Sequence, residues 1–313
     1  MEYQTPLLTT LLTTLPTTLL ACLSLGVGLA FSADAPAAVT VFNDTFESSD
    51  TDTSTKLDDG IEAGELNWYY SLDAATLGVV DDNFAGGGSE RALALTGPEI
   101  FRRFGAGFDS TALGANVGDR IVLTFDTRVS DFSGDTNTAG FRFGLHNTNG
   151  TDIISDSPNG KSQPEEEDDD FGYFVRLALN TTGVPDLMRE PAGNNPVGGD
   201  DTVDGTTRIT TSGSTTAGLT DLLKHTIAFE IERTATGIGL DLYLDGNLIA
   251  SGTDNSPLTT TFDKVYFGLG FVESEFLVDN VQLQTVPIPE PASLALLGLG
   301  SALMLTGRPR RRA

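Results

Sequence analysis

The chain reads as an all-β protein, a two-sheet antiparallel sandwich of jelly-roll type, and three observations predict this. Apolar and polar residues alternate with period two through most of the interior. Gly- and Asp-rich breaks separate the alternating stretches, and only residues 214–223 have the composition of a short helix. A strand turns successive side chains to opposite faces, so alternation marks one buried face and one wet face. Many such strands with turns between them pack as two sheets around one core.

The clearest strand is Ile121, Leu123, Phe125, Thr127 and Val129, with Asp126 and Arg128 turned the other way. The same rule gives strands at Phe141-Arg142-Phe143, at residues 173–179, at Ile227-Phe229-Ile231 with Glu230 and Glu232 opposite, at Ile238-Leu240-Leu242-Leu244, and at Val265-Phe267-Leu269-Phe271. Gly86-Gly87-Gly88, Gly198-Gly199-Asp200-Asp201 and Asp245-Gly246-Asn247 supply the positive-φ positions that turns require.

The two ends read differently. Residues 7–31 are rich in Leu, Ala, Gly and Thr, carry no charge, and are followed by Ser32, Ala33, Ala35, Ala37 and Ala38. This is the pattern of a secretory signal peptide over residues 1–38, removed by signal peptidase between Ser32 and Ala38. Its start departs from the usual form, with Glu2 in place of a basic residue. Leu19-Leu20-Ala21-Cys22 imitates a lipoprotein box, although the residues after it stay apolar. At the far end Pro289, Glu290 and Pro291 precede an apolar run over 292–307 and then Arg308, Arg310, Arg311 and Arg312. The run suits a short transmembrane helix, and the arginines resist translocation, so the body faces outward with the tail in the cytoplasm.

Between the ends lies a β-sandwich domain over residues 39–286. The formal net charge is −26, from 44 acidic and 18 basic residues, which excludes a nucleic-acid partner because phosphate binding needs clustered Lys and Arg. The single cysteine, Cys22, falls in the export segment, leaving the body without a disulfide or thiol chemistry.

Pro289-Glu290-Pro291, the apolar run and the basic end together resemble the PEP-CTERM signal of exosortase-bearing Gram-negative bacteria, assigned here to residues 287–313. The resemblance implies recognition at Pro-Glu-Pro by exosortase, transient anchoring in the inner membrane, removal of the tail, and delivery to the cell surface or extracellular matrix. A plain C-terminal anchor is the other reading of the same residues. Within the body, His225 to Arg233, the following hairpin and Asp245-Gly246 resemble laminin-G and concanavalin A-like domains. Phe276-Leu277-Val278-Asp279-Asn280-Val281-Gln282-Leu283 resembles the closing strand of carbohydrate-binding jelly rolls, whose opening edge is like Asp44-Thr45-Phe46-Glu47.

No catalytic motif stands out. Glycoside hydrolysis needs two positioned carboxylates, and Glu273-Ser274-Glu275 and Glu230-Ile231-Glu232 lack the third member of the glucanase pattern. His146 and His225 are too few for a His-rich zinc site. Asn159-Gly160-Lys161-Ser162 lacks the first glycine of a P-loop, with Ser155 in its place. Asp50, Asp52, Ser54, Lys56 and Asp58 imitate an EF-hand loop, yet Thr55 replaces its glycine and Ile61 its glutamate. The acidic run 165–170 reads as a solvated loop or an ion site. The jelly-roll resemblance implies a structural calcium at Glu47 and Asp279, with an edge carboxylate taking backbone hydrogen bonds as the other use. Trp68 and Tyr70 share a strand face and are either a sugar platform or core, and Tyr243 is a second aromatic candidate on a polar face. The expectation is an exported, non-enzymatic carbohydrate-binding or structural protein, with a secreted polysaccharide hydrolase or lyase on the same fold as the alternative.

Overall fold

The computed structural model describes residues 37–46, 66, 68–71, 76–81, 91–96, 102–131, 136–150, 169–193, 206–270 and 275–288, all within one compact unit, Pro36–Ile288. Several sequence expectations lie outside these residues: the signal segment before residue 37, the sorting motif and tail from Pro289 onward, Glu47, the EF-hand-like loop, Asn159 to Ser162, most of the acidic run, the glycine turns at 86–88 and 198–201, and Phe271.

Among the described residues every regular element is a strand. Nine form one antiparallel sheet: β1 (Val39–Asp44), β3 (Thr76–Asp81), β4 (Arg91–Thr96), β6 (Arg120–Asp131), β11 (Thr210–Gly213), β12 (His225–Arg233), β13 (Ile238–Leu244), β14 (Asn247–Asp254) and β16 (Glu275–Val286). Their order is β11-β14-β13-β12-β6-β16-β4-β3, with β1 also on β16. The other seven are β2 (Trp68–Ser71), β5 (Arg102–Ala112), β7 (Asn137–Asn147), β8 (Phe171–Leu179), β9 (Asp186–Glu190), β10 (Thr207–Arg208) and β15 (Thr261–Leu269). They run in the order β10-β9-β8-β7-β15-β5-β2. The closing strand β16 meets β6 along one edge and is shared on the other, by β4 at Phe276–Val278 and by β1 at Val281–Thr285.

The alternation read from the sequence is the reason the sheets stack. Ile121, Leu123 and Phe125 of β6 and Ile227, Phe229 and Ile231 of β12 are buried on the inner face of the larger sheet. They meet Phe141, Phe143 and Leu145 of β7 and Val265, Phe267 and Leu269 of β15 in one continuous core. Phe125 stands edge-on to Phe143 and Phe267 across the gap, at 5.0 and 4.9 Å between centroids, a geometry that adds about 0.5–1.5 kcal/mol per pair to the burial itself. Asp245-Gly246 forms the two-residue loop between β13 and β14, with φ of 51° and 76°, the two positive values of the tight hairpin turn.

Two expectations change. Residues 214–223 are not helical: Ala217 and Leu219 are buried and bridge to Gly183 and Leu179. Leu219 donates to the Ala178 carbonyl and accepts from Asn180 N–H, at 2.9 and 2.8 Å. Two buried side chains at spacing two, tied to another strand, outweigh the weak local helix preference. Strand β8, read as half-buried, is buried on both faces, since Phe174, Arg176 and Ala178 are as enclosed as Tyr173, Val175 and Leu177.

Candidate functional site

Trp68 lies in the core, 2% exposed. It packs against Phe46, Phe104 and Phe267, with centroids 5.5–5.9 Å away. Its indole N–H donates to Asp44 Oδ2 at 2.8 Å. The ring is thus enclosed by core side chains, the packing use of the two that the sequence offers. Asp44 also accepts from the N–H groups of Phe46 and Leu66, at 3.1 and 3.2 Å. Burial raises its pKa, and the three donors work against that rise. The sequence signal for this role of Asp44 is an aspartate at the end of a strand, a residue that caps its own backbone two positions on. Tyr70 pairs with Phe104 through its strand register, and its side chain is outside the described residues.

Asp279 sits at a bulge where β16 slips register against β6. Asn280 there has φ of 51°, a left-handed conformation that asparagine tolerates better than most residues. Asp279 Oδ1 accepts from Asn280 N–H at 2.6 Å and Oδ2 from Asn280 Nδ2 at 2.9 Å. Asp126 stands directly opposite on β6 and is itself held by Thr226 Oγ1 at 2.6 Å, Asn280 Nδ2 at 3.0 Å and Lys224 Nζ at 2.6 Å. A calcium ligand needs its lone pairs turned to the ion. Each oxygen of Asp279 accepts one bond from Asn280, the hydrogen-bonding use of this carboxylate, and Glu47, the other half of the expected calcium pair, lies outside the described residues. No cluster of three His, Cys, Asp or Glu suited to a metal occurs among the described residues.

The outward face of the larger sheet carries the surviving aromatic candidate. Tyr243 of β13 is half-buried. Glu230 of β12 and Asp241 of β13 are direct cross-strand partners, and Arg120 Nη1 holds Glu230 Oε2 at 3.1 Å. The phenol pKa is raised, first by desolvation and then by the charges of Glu230 and Asp241, with Arg120 opposing. An aromatic surface beside two carboxylates and a guanidinium, all on a rigid sheet, offers apolar stacking together with hydrogen-bond acceptors and donors.

The outward face of the smaller sheet holds a constellation that no motif announced. Strand register sets it in three rows. Lys264, His146, Gly172 and Glu190 stand in line across β15, β7, β8 and β9. The next row alternates rings with glycines, Tyr69, Gly105, Tyr266, Gly144, Phe174, and ends on Met188. The third contains Arg103, Gly268, Arg142, Arg176 and Asp186.

His146 Nε2 meets Glu190 Oε2 at 2.9 Å across the side-chain-free Gly172, both groups fully buried. The Tyr266 hydroxyl donates to Asp170 at 2.5 Å, its ring lies edge-to-face with His146, and Lys264 Nζ is 5.5 Å from that ring's centroid. Arg176 grips Asp186 through Nε and Nη2, at 3.1 and 2.7 Å. The three arginines are less than a tenth exposed. The signal in the sequence is the recurrence of glycines and charges on this face, Arg103 and Gly105, Arg142 and Gly144, Gly172 and Arg176, Lys264 and Gly268, broken by the rings of Phe174 and Tyr266, yet alternation alone does not say that this second face is also buried.

His225, at the start of β12, contacts Asp245 Oδ2 through Nδ1 at 2.8 Å and Asp221 Oδ1 through Nε2 at 3.0 Å. Ionised carboxylates only accept, so this geometry suits the protonated imidazole, in which both ring nitrogens donate. Burial works to lower its pKa, and the two carboxylates outweigh it and raise the value.

No curated protein sequence matches the chain. Among solved structures, a carbohydrate esterase from Shiga toxin-encoding bacteriophage phi24B is similar at 15% identity, over 80% of this chain and 100% of that one, with a TM-score of 0.44. A protein of unknown function with a galectin-like fold from Bacillus subtilis is similar at 11% identity, over 79% and 97%, with a TM-score of 0.45. Peanut lectin is similar at 11% identity, over 81% and 100%, with a TM-score of 0.41. Residues 287–312 match the PEP-CTERM protein-sorting motif, and the chain is thus an exported protein that is transiently anchored in the membrane.

Proposed function

We propose that the body is a non-enzymatic, carbohydrate-binding component of the cell surface or extracellular matrix of a Gram-negative bacterium, and that it recognises polysaccharide on the outward face of the nine-stranded sheet around Tyr243. The observation that carries this reading is the accessible grouping of the Tyr243 ring with Glu230, Asp241 and Arg120 on adjoining strands. A sugar's C–H face packs on an aromatic ring while its hydroxyls bond to carboxylates and guanidinium. Export and the sorting segment supply the setting, with signal peptidase and exosortase as processing partners.

A secreted polysaccharide hydrolase or lyase is the second reading. It is favoured by the His146–Glu190 pair beside Tyr266, Lys264 and the arginine row, which contains acid, base and cationic side chains suited to an acidic sugar. Their burial favours the binding role, because a polymer has to reach the groups that act on it.

The experiment is binding of the purified body to a panel of bacterial and algal polysaccharides, in calcium and then in chelator, with product release followed in the same tubes. Saturable binding without new reducing or unsaturated ends, weakened about tenfold by Tyr243→Ala as expected for a lost aromatic contact, supports the proposal. New chain ends would move the protein to the second reading. Absence of binding to every glycan would end the carbohydrate proposal and leave a structural role.

A further inference from the structure

The sorting match begins at residue 287, so Pro287 and Ile288 belong to the sorting segment and to the folded body at once. The body holds them firmly. Ile288 N–H donates to Asp119 Oδ1 at 2.8 Å, and the other oxygen, Oδ2, accepts from Asn116 N–H at 2.8 Å. Asp119 is buried, and the turn around it is tied to β12, with Gly118 N–H donating to the Arg233 carbonyl and Arg233 N–H to the Asp119 carbonyl, at 2.7 and 2.8 Å. Ile288 lies over Gly118, whose φ of 93° and missing side chain make room for it.

Exposed apolar side chains stand on the turn and on the segment at this exit. Val117 is 59% and Ile288 39% exposed. Val39, also exposed, opens β1 opposite Thr285 of β16. In the sequence, Pro289-Glu290-Pro291 follows the anchored Ile288 directly. A protease that takes up residues on the N-terminal side of this motif therefore meets Ile288, the residue that the turn holds.

We propose that the turn Gly114 to Asp119 is a recognition surface for the membrane-embedded protease that processes the tail: Asp119 pins the head of the sorting segment, and Val117 and Ile288 seat the enzyme. A lipid surface is the weaker occupant, because a body in a chain of net charge −26 is repelled by anionic headgroups. The inference rests on the sorting segment and is independent of glycan binding.

The test uses the full chain in cells that contain the exosortase, with tail removal followed by pulse-chase and mass. Two variants leave the core untouched: Val117→Ser, and an eight-residue Gly-Ser spacer inserted between Ile288 and Pro289. Each is expected to slow tail removal by about tenfold, the rate equivalent of losing the burial of one Val side chain or more, while the protease resistance of the folded body stays at the wild-type level. Tail removal at the wild-type rate in either variant overturns the proposal.

Discussion

Replacing Asp44 by alanine tests how the opening strand is held to the core. Its carboxylate receives Trp68 Nε1–H at 2.8 Å and the N–H groups of Phe46 and Leu66 at 3.1 and 3.2 Å. Alanine leaves all three donors without this acceptor. A buried donor left unsatisfied costs about 1–3 kcal/mol. Trp68 bears the full penalty because its indole is enclosed, whereas Leu66 is only half-buried and recovers part from water. The expected loss is about 3–5 kcal/mol in all. With a urea slope of about 3 kcal/mol/M for a body of this size, the midpoint falls by about 1–1.7 M. The chain's single tryptophan is Trp68 itself, so its fluorescence in Pro36–Ile288 reports the transition at the site of the change. A loss below about 1 kcal/mol would refute the reasoning, because it would mean that desolvating the carboxylate offsets its three bonds.

The pH dependence separates these terms. Burial raises the folded-state pKa of Asp44 above its ordinary 3.8. The folded state then binds the proton more tightly than the unfolded chain. This contribution is fully present below 3.8 and is lost as pH rises through the higher folded value. Asp44→Asn should remove that part of the slope.

Three further expectations follow from the geometry. His225 also has a raised pKa, so its bridge between Asp221 and Asp245 is complete below its ordinary 6.5 and is lost as pH rises through the folded value; amide shifts of residues 221–226 and 245 should titrate together, and His225→Gln should abolish that titration. In Gly144→Ala the new methyl would stand 2.5 Å from Phe174 Cβ and against the Tyr173 carbonyl, so thermal unfolding should show a loss of about 1–3 kcal/mol. The calcium proposal for Glu47 and Asp279 is tested by melting the body in calcium and in chelator: a stabilisation of about 2.7 kcal/mol at a hundredfold excess over Kd, absent in Asp279→Asn, would support it, and equal melting would end it.

What was legible depended on whether the relevant interaction is local. The strand Ile121 to Val129 was visible because a half-buried strand writes its burial as alternation. The Asp245-Gly246 turn was visible because positive φ selects those residues. The sequence sets Tyr243 on the polar face of its strand and leaves Trp68 open between core and surface, and the burial of the Trp68 ring comes from the partners packed against it. Asp279 carries the calcium resemblance in sequence, and the bulge at Asn280 that sets its hydrogen bonds exists only where β16 meets β6. Residues 214–223 had a helical composition, and the distant end of β8 captured their backbone instead.

The sequence by itself determined the all-β class, the positions of the main strands, the acidic character of the chain and the sorting segment at its end, because each is recorded in periodicity, composition or a contiguous motif. Only the tertiary structure decided that Lys264, His146 and Glu190 lie in one buried row and that Asp119 holds Ile288. Those residues are separated in the chain and are brought together by strand register and by turns, which are set by the packing of both sheets and leave no local trace in the order of the amino acids.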